Sequence, residues 1–218
     1  ECTELKARQQ IYRRIGVLAA KSHNQSTNWN EPPDFQRRRL DADGLVGENP
    51  HWGPFWEHAA LTQTESKLLQ RARQKAYMAL DRYGMEASIF SLIHADLNPD
   101  NIVYADGALA MIDFDDAAYG WHMYDIASAL FDEKSHPDFA SLRNSLFAGY
   151  REHRPLGERE TRTLDLFFLI RGLALIGWVH QRPEHAESQY FKDLKDAMCV
   201  ECEAVSYTHL RAHETKAN

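Results

Sequence analysis

The stretch "LIHADLNPDN", Leu92–Asn101, decides the fold: a His, two Asp and two Asn stand together just after an apolar run. A solvated turn between two strands would have a similar composition, but the spacing argues against that reading. His94-x-Asp96-x4-Asn101 leaves one apolar strand, Ile89–Ile93, and enters a β-branched and aromatic one, Ile102–Tyr104. The tetrapeptide "ADGA" then signals a hairpin into a third strand, Leu109–Ile112, with Asp113 at its end. The hairpin returns Asp113 beside Asn101. A chance H-x-D-x4-N in a chain of this length is roughly a per-cent event at average residue usage. Its placement between strands, with I-D-F after the next hairpin, makes coincidence rarer still.

This arrangement sets one carboxylate in the loop, with a second carboxylate and an amide across from it. Phosphoryl transfer needs such a set: a base to accept or orient a hydroxyl proton, and oxygen ligands to hold Mg²⁺ against nucleotide phosphates. Mg²⁺ is satisfied by one or two carboxylates plus phosphate oxygens and water, so Asp113 with Asn101 suffices.

These residues resemble the catalytic core of the aminoglycoside phosphotransferase and choline kinase family, relatives of protein kinases that share the H-R-D-x4-N and D-F-G layout. The resemblance implies an α+β, mainly α fold: a protein-kinase-like C-terminal lobe with a small catalytic β-hairpin. It implies Asp96 as catalytic base, Asn101 and Asp113 as ligands of the metal and thereby of the nucleotide, and His94 as a buttress of the loop. It also implies ATP as co-substrate and Mg²⁺ as cofactor. "HMYDIASAL" is similar to the family helix whose Asp, here Asp125, braces the catalytic loop by hydrogen bonds. "RRIGVLAAKSHNQS" resembles the helix after the inter-lobe hinge, and "RRRLDADGLVGENPHWGPFWEHAALT" an insert of one phosphotransferase branch. The likeness runs from Arg13 to about Arg182.

Two departures matter. Ala95 stands where protein kinases carry an Arg that pairs with a phosphorylated activation loop, and "DFDD" replaces D-F-G with little room for such a loop. Both favour a small-molecule kinase.

The rest of the chain limits the alternatives. A hydrophobic share of 44% and a charged share of 26% are those of an ordinary globular protein. No run of about 18 apolar residues occurs, so no membrane span is expected. A net charge of −7 argues against nucleic acid as the main partner, since phosphate binding wants clustered Lys and Arg. Three cysteines make no disulfide framework, and the lone C-x-x-C of Cys199 and Cys202 lacks two further zinc ligands. The start has neither Met nor a signal-peptide core, which fits a cytoplasmic protein or a fragment whose true start is missing. Val205–Thr215 looks like one reading frame of a sequencing adapter. The expected division is therefore a catalytic lobe over 1–204 and an adventitious tail over 205–218.

Along the chain, Leu5, Ile11, Ile15, Leu18 and Ala19 mark a helix over 4–23. Residues 26–62 read as a long ordered loop. A second helix over 64–83 is expected to start at Thr64, bury Leu68, Ala72, Ala76 and Ala79, and close at Gly84. After "DFDDAAYGWHMYD" the chain reads as helical, with Phe139–Tyr150 on one helix and Leu164–Trp178 on a buried one. Asp115 and Asp116 either add charge near the metal or cap the next turn. Trp52, Trp56 and Trp121 read as core cover or pocket lining. Arg171 reads as a buried ion-pair partner or a substrate contact, and His23 and His122 as hydrogen-bonded structural groups.

The function expected is ATP-dependent phosphorylation of a hydroxyl on a small molecule: an aminoglycoside, an amino alcohol such as choline, or a hydroxy amino acid such as homoserine. A Ser/Thr protein kinase and a non-catalytic pseudokinase module are the rival readings. Upstream of Asp96 there is no glycine-rich strand–turn–strand and no Lys on a strand. The expectation is that roughly 80–110 residues, the size of a small domain, precede Glu1 in the complete protein.

Overall fold

The computed structural model describes residues 2–105 and 107–214, with side chains over 3–105 and 107–205. Asp106 of the hairpin turn lies outside the described residues, as do the side chains of the expected tail beyond Val205. The chain runs α1 (Cys2–Thr27), β1 (Arg39–Leu40), α2 (Ala42–Val46), a 3₁₀ turn (Phe55–Glu57), α3 (Gln63–Tyr83) and β2 (Phe90–Ile93). A second 3₁₀ turn (Pro99–Asn101) leads into β3 (Ile102–Ala105), β4 (Ala108–Met111) and β5 (Ala118–Trp121). Helices α4 (His122–Leu130), α5 (Phe139–Arg151), α6 (Glu158–Thr161), α7 (Leu164–His180) and α8 (Gln189–Glu214) follow. The fold is mainly α, as the sequence leads one to expect, with a three-stranded sheet β1-β5-β2 and a two-stranded sheet β3-β4.

Two compact units compose it, 1–39 with 85–168 and 40–84 with 169–218. In the first, β3 and β4 pair as the expected hairpin, Ile102 opposite Met111 and Tyr104 opposite Leu109. The strand β5 falls within "DFDDAAYGWHMYD", a stretch for which the sequence suggests no element. It pairs antiparallel with β2, Phe90 opposite Trp121 and Ile93 opposite Ala118. "AYGW" holds two small residues and no alternation, so it carries no strand pattern of its own. Its pairing with β2 supplies what its sequence lacks.

Helix α1 buries Tyr12, Ile15, Ala19 and His23 and leaves Ile11 46% exposed, so the face meeting α5 lies one residue off the expected one. That contact is close. A Cβ on Gly16 would stand 2.1 Å from the Leu146 carbonyl oxygen, and one on Gly149 1.9 Å from that of Arg13. Only hydrogen in place of a side chain lets the two backbones approach this far.

In the second unit the long loop is partly ordered into α2 and the 3₁₀ turn, and Trp52 and Trp56 are buried in its core. Helix α3 is capped two residues before the expected position. Thr62 and Glu65 form a reciprocal capping box, which outcompetes Thr64. The buried face is Leu69, Ala72, Ala76, Leu80 and Tyr83, in place of the expected Leu68 and Ala79, with Gly84 closing the helix at φ 82°. Helix α8 packs on α3, and Lys195 reaches Glu65 at 3.3 Å. Arg171 is buried within α7. Cys199 and Cys202 lie on α8, where burial pushes their thiols up to about 11 and about 12. Among the described residues no group of three or more His, Cys, Asp or Glu is placed to hold a metal ion, and no helix is long and apolar enough to cross a membrane.

Candidate active site

The loop from His94 to Asn101 is shaped by one buried carboxylate. Asp125, on the first turn of α4 and 1% exposed, accepts the amide N–H of His94 on Oδ2 (3.0 Å) and that of Ala95 on Oδ1 (2.7 Å). Two adjacent amides can face one carboxylate only if the chain turns sharply between them, and Ala95 is left-handed at φ 67°. For a residue with a Cβ that conformation costs roughly 1–2 kcal/mol, which the charge-assisted bonds offset.

His94 carries the constraint across to the hairpin. Its Nδ1 lies 3.3 Å from the amide of Asp96 and accepts that N–H, so the ring proton sits on Nε2. Nε2 then donates to the carbonyl of Ile112 at 2.9 Å. The next residue, Asp113, is also left-handed (φ 60°) and exposed. The ring of Phe114 lies 4.6 Å from that of His94. On the other side, Ile112 N–H donates to the Asn101 carbonyl at 3.0 Å. Asp113 and Asn101 are thus held next to one another by main-chain and side-chain ties on both flanks.

Within the loop, Asn101 Nδ2 donates to both the carbonyl oxygen and Oδ2 of Asp96, each at 2.9 Å. Asn98 Nδ2 donates to the same Oδ2 at 3.1 Å. The Asn98 oxygen accepts the amides of Asp100 and Asn101 and caps the 3₁₀ turn that begins at Pro99. The structure therefore brings together Asp96, Asn101, Asp113, His94 and Asp125, all within the first unit. Asn98 and the Ile112 carbonyl are additional working parts. Asn-Pro as a turn initiator could have pointed to Asn98; a carbonyl has no sequence signature. Asp116 does not cap a turn: it pairs with Arg38 at 3.2 Å.

The donor atoms suit a hard divalent cation. Asn101 spends its nitrogen on Asp96, so its amide oxygen is the atom that could ligate, and Asp113 offers an exposed carboxylate. An all-oxygen set this small fits Mg²⁺, whose shell is completed by phosphate oxygens and water.

Behind the loop lies a buried polar layer. His23 places Nε2 3.1 Å from Asp125 Oδ2 and Nδ1 2.9 Å from the Tyr150 hydroxyl. His122 stacks on His23 with centroids 4.3 Å apart and reaches Ser91 Oγ at 2.8 Å. Burial first, then His23 and Arg154, push ionisation of His122 far down, so its ring is neutral.

Residues 3–164 match the phosphotransferase enzyme family, APH, which is about three quarters of the chain. The chain belongs to that family. Among similar phosphotransferases, the homoserine kinase of Chelativorans sp. (strain BNC1) is 34% identical over 147 residues, 65% of this chain and 44% of that protein. The homoserine kinase of Nitrobacter winogradskyi is 31% identical over 166 residues, 74% of this chain and 47% of that protein. The chain spans less than half the length of these curated relatives. A microcompartment-associated aminopropanol kinase superposes with a TM-score of 0.78 at 27% identity, covering 94% of this chain and 63% of that one. An amicoumacin kinase, solved with AMP-PNP and Ca²⁺, gives 0.72 at 20% identity, covering 90% and 59%. The fold of this chain is accordingly protein-kinase-like.

Proposed function

We propose that residues 1–204 carry the catalytic lobe of an ATP- and Mg²⁺-dependent kinase that phosphorylates a hydroxyl of a small molecule, with Asp96 as base. The observation that carries this is the Asn101–Asp96 pairing, which orients the Asp96 carboxylate and engages the nitrogen, not the oxygen, of the Asn101 amide. Both amide donors to the carboxylate fall on Oδ2, so its plane is fixed before any substrate arrives. A preset carboxylate can orient an alcohol and accept its proton as the new P–O bond forms. Asn101 and Asp113 would hold Mg²⁺, whose charge, when bound, neutralises the nucleotide phosphates. His94 and Asp125 keep the two halves of the site in register.

The kinship to homoserine kinases and the likeness to an aminopropanol kinase support a short acceptor carrying both an amine and a hydroxyl. An aminoglycoside or choline stays within the same chemistry. The test is phosphorus NMR of the complete gene product with ATP, Mg²⁺ and homoserine, 1-amino-2-propanol, choline or an aminoglycoside in turn. A new phosphate ester on one of them is the expected result. ATP consumed with label only on protein would place the enzyme among protein kinases and end the small-molecule reading. Nucleotide binding indifferent to Mg²⁺, with no ester, would leave a binding module.

A further inference from the structure

We infer that Tyr150, on α5 and outside the catalytic loop, is a positioning residue: its hydroxyl orients His23, and through His23 and Asp125 it sets the backbone of His94 and Ala95. The inference rests on the phosphoryl-transfer reading of that loop.

Asp125 Oδ2 accepts here as it does from the His94 amide, so the His23 nitrogen that faces it, Nε2, carries a ring hydrogen and donates at 3.1 Å. In the singly protonated ring Nδ1 is then a lone pair, and the Tyr150 hydroxyl at 2.9 Å is its donor. Tyr150, His23 and Asp125 are 2%, 0% and 1% exposed, so an unmade bond here is costly. The stack of His122 on His23 prevents the ring from tipping out of plane, and Ser91 of β2 anchors His122 in turn. What remains is rotation within the plane, and bonds at the two ring nitrogens stop it. Take away the hydroxyl and one of the two stops is gone. The His23 donor to Asp125 is then held less firmly, and the left-handed turn at Ala95 loses rigidity.

Helix packing delivers Tyr150 to this point. The Gly16 and Gly149 approach puts the backbones of α1 and α5 in contact. His23 lies seven residues beyond Gly16, two turns along the same face of α1.

The test uses the complete gene product with whichever acceptor it phosphorylates, and two readouts. Tyr150→Phe should lower kcat about tenfold with KM for both substrates within twofold, and speed amide exchange at Ala95 by about tenfold, the effect of roughly one buried hydrogen bond. A pair of variants at His23 separates positioning from packing. His23→Gln keeps a donor toward Asp125 and should retain several-fold more activity than His23→Leu, although Leu suits a buried position better. Unchanged exchange at Ala95 in Tyr150→Phe, or a Leu variant as active as the Gln one, would overturn the inference. The exchange measurement needs no turnover, so it still judges the relay if the wild type phosphorylates none of the small alcohols, which would instead overturn the functional reading.

Discussion

The side-chain nitrogen of Asn101 sits 2.9 Å from both the carbonyl oxygen and Oδ2 of Asp96, so the two residues behave as one unit. The amide fixes the carboxylate and the carboxylate fixes the amide, and the Asn101 oxygen takes no part in that pairing. Asp96→Asn preserves an acceptor oxygen for these donors and removes only the charge and the basicity. Turnover should fall by roughly 10²–10⁴-fold, the usual share of a positioned base. The melting temperature and ATP affinity should stay close to wild type. Steady-state rates and a melting curve on both forms check this, and near wild-type turnover removes Asp96 from the base role.

Asp113→Ala should behave differently. This carboxylate is the charged oxygen ligand of the proposed metal pair, so its loss should abolish the Mg²⁺ dependence of nucleotide affinity together with activity. The position is exposed, and Ala in the same left-handed conformation adds only modest strain, so the fold should survive. ATP affinity measured across a Mg²⁺ titration decides it. A dependence equal to wild type would leave Asp113 with a hydrogen-bonding role only.

The loop could be read from the sequence, and of the layer behind it only that His23 and His122 are hydrogen-bonded, not what they bond to. The reason is where each set of contacts lies in the chain. His94, Asp96, Asn101 and Asp113 fall within twenty residues, and hairpin geometry brings the last beside the third. Tyr150 and His23 are separated by more than a hundred residues and meet only because two glycines allow α1 and α5 to touch. No local pattern encodes that. Strand β5 escaped for a related reason, since "AYGW" is extended only because β2 offers it a partner. The start of α3 was misplaced where two threonines competed, and the Glu three residues after Thr62 settled the matter.

The glycine contact gives a third prediction. In Gly149→Ala the new methyl would meet the Arg13 carbonyl at 1.9 Å, so α5 must move off α1. Overpacking of this kind costs about 1–3 kcal/mol. Urea titration should show a lower midpoint. Because Tyr150 is the next residue, the displacement also separates its hydroxyl from His23. Activity should therefore fall by more than the unfolded fraction accounts for. An activity loss equal to the unfolded fraction would mean that α5 serves the site only through overall stability.

The last prediction concerns acid. Glu65 in the α3 capping box is held down to about 2, first by the Thr62 main-chain N–H, then by the Thr62 hydroxyl, with Lys195 a lesser cause. A carboxyl depressed in the folded state adds stability above its unfolded value, near 4.5, and loses that contribution as pH falls toward 2. Wild type should thus become easier to unfold between about pH 5 and pH 3, partly through this residue. In Glu65→Gln that part is absent, so the urea midpoint should drop less over the same interval. Its value at pH 5 should already be lower, because the amide caps the helix less well than the carboxylate. Thr62→Ala removes the hydroxyl donor and should cost about 1 kcal/mol at pH 5 while leaving part of the acid sensitivity, since the Thr62 main-chain bond remains. Equal acid sensitivity in wild type and Glu65→Gln would show that other carboxylates set the acid response and that the capping box has no part in it.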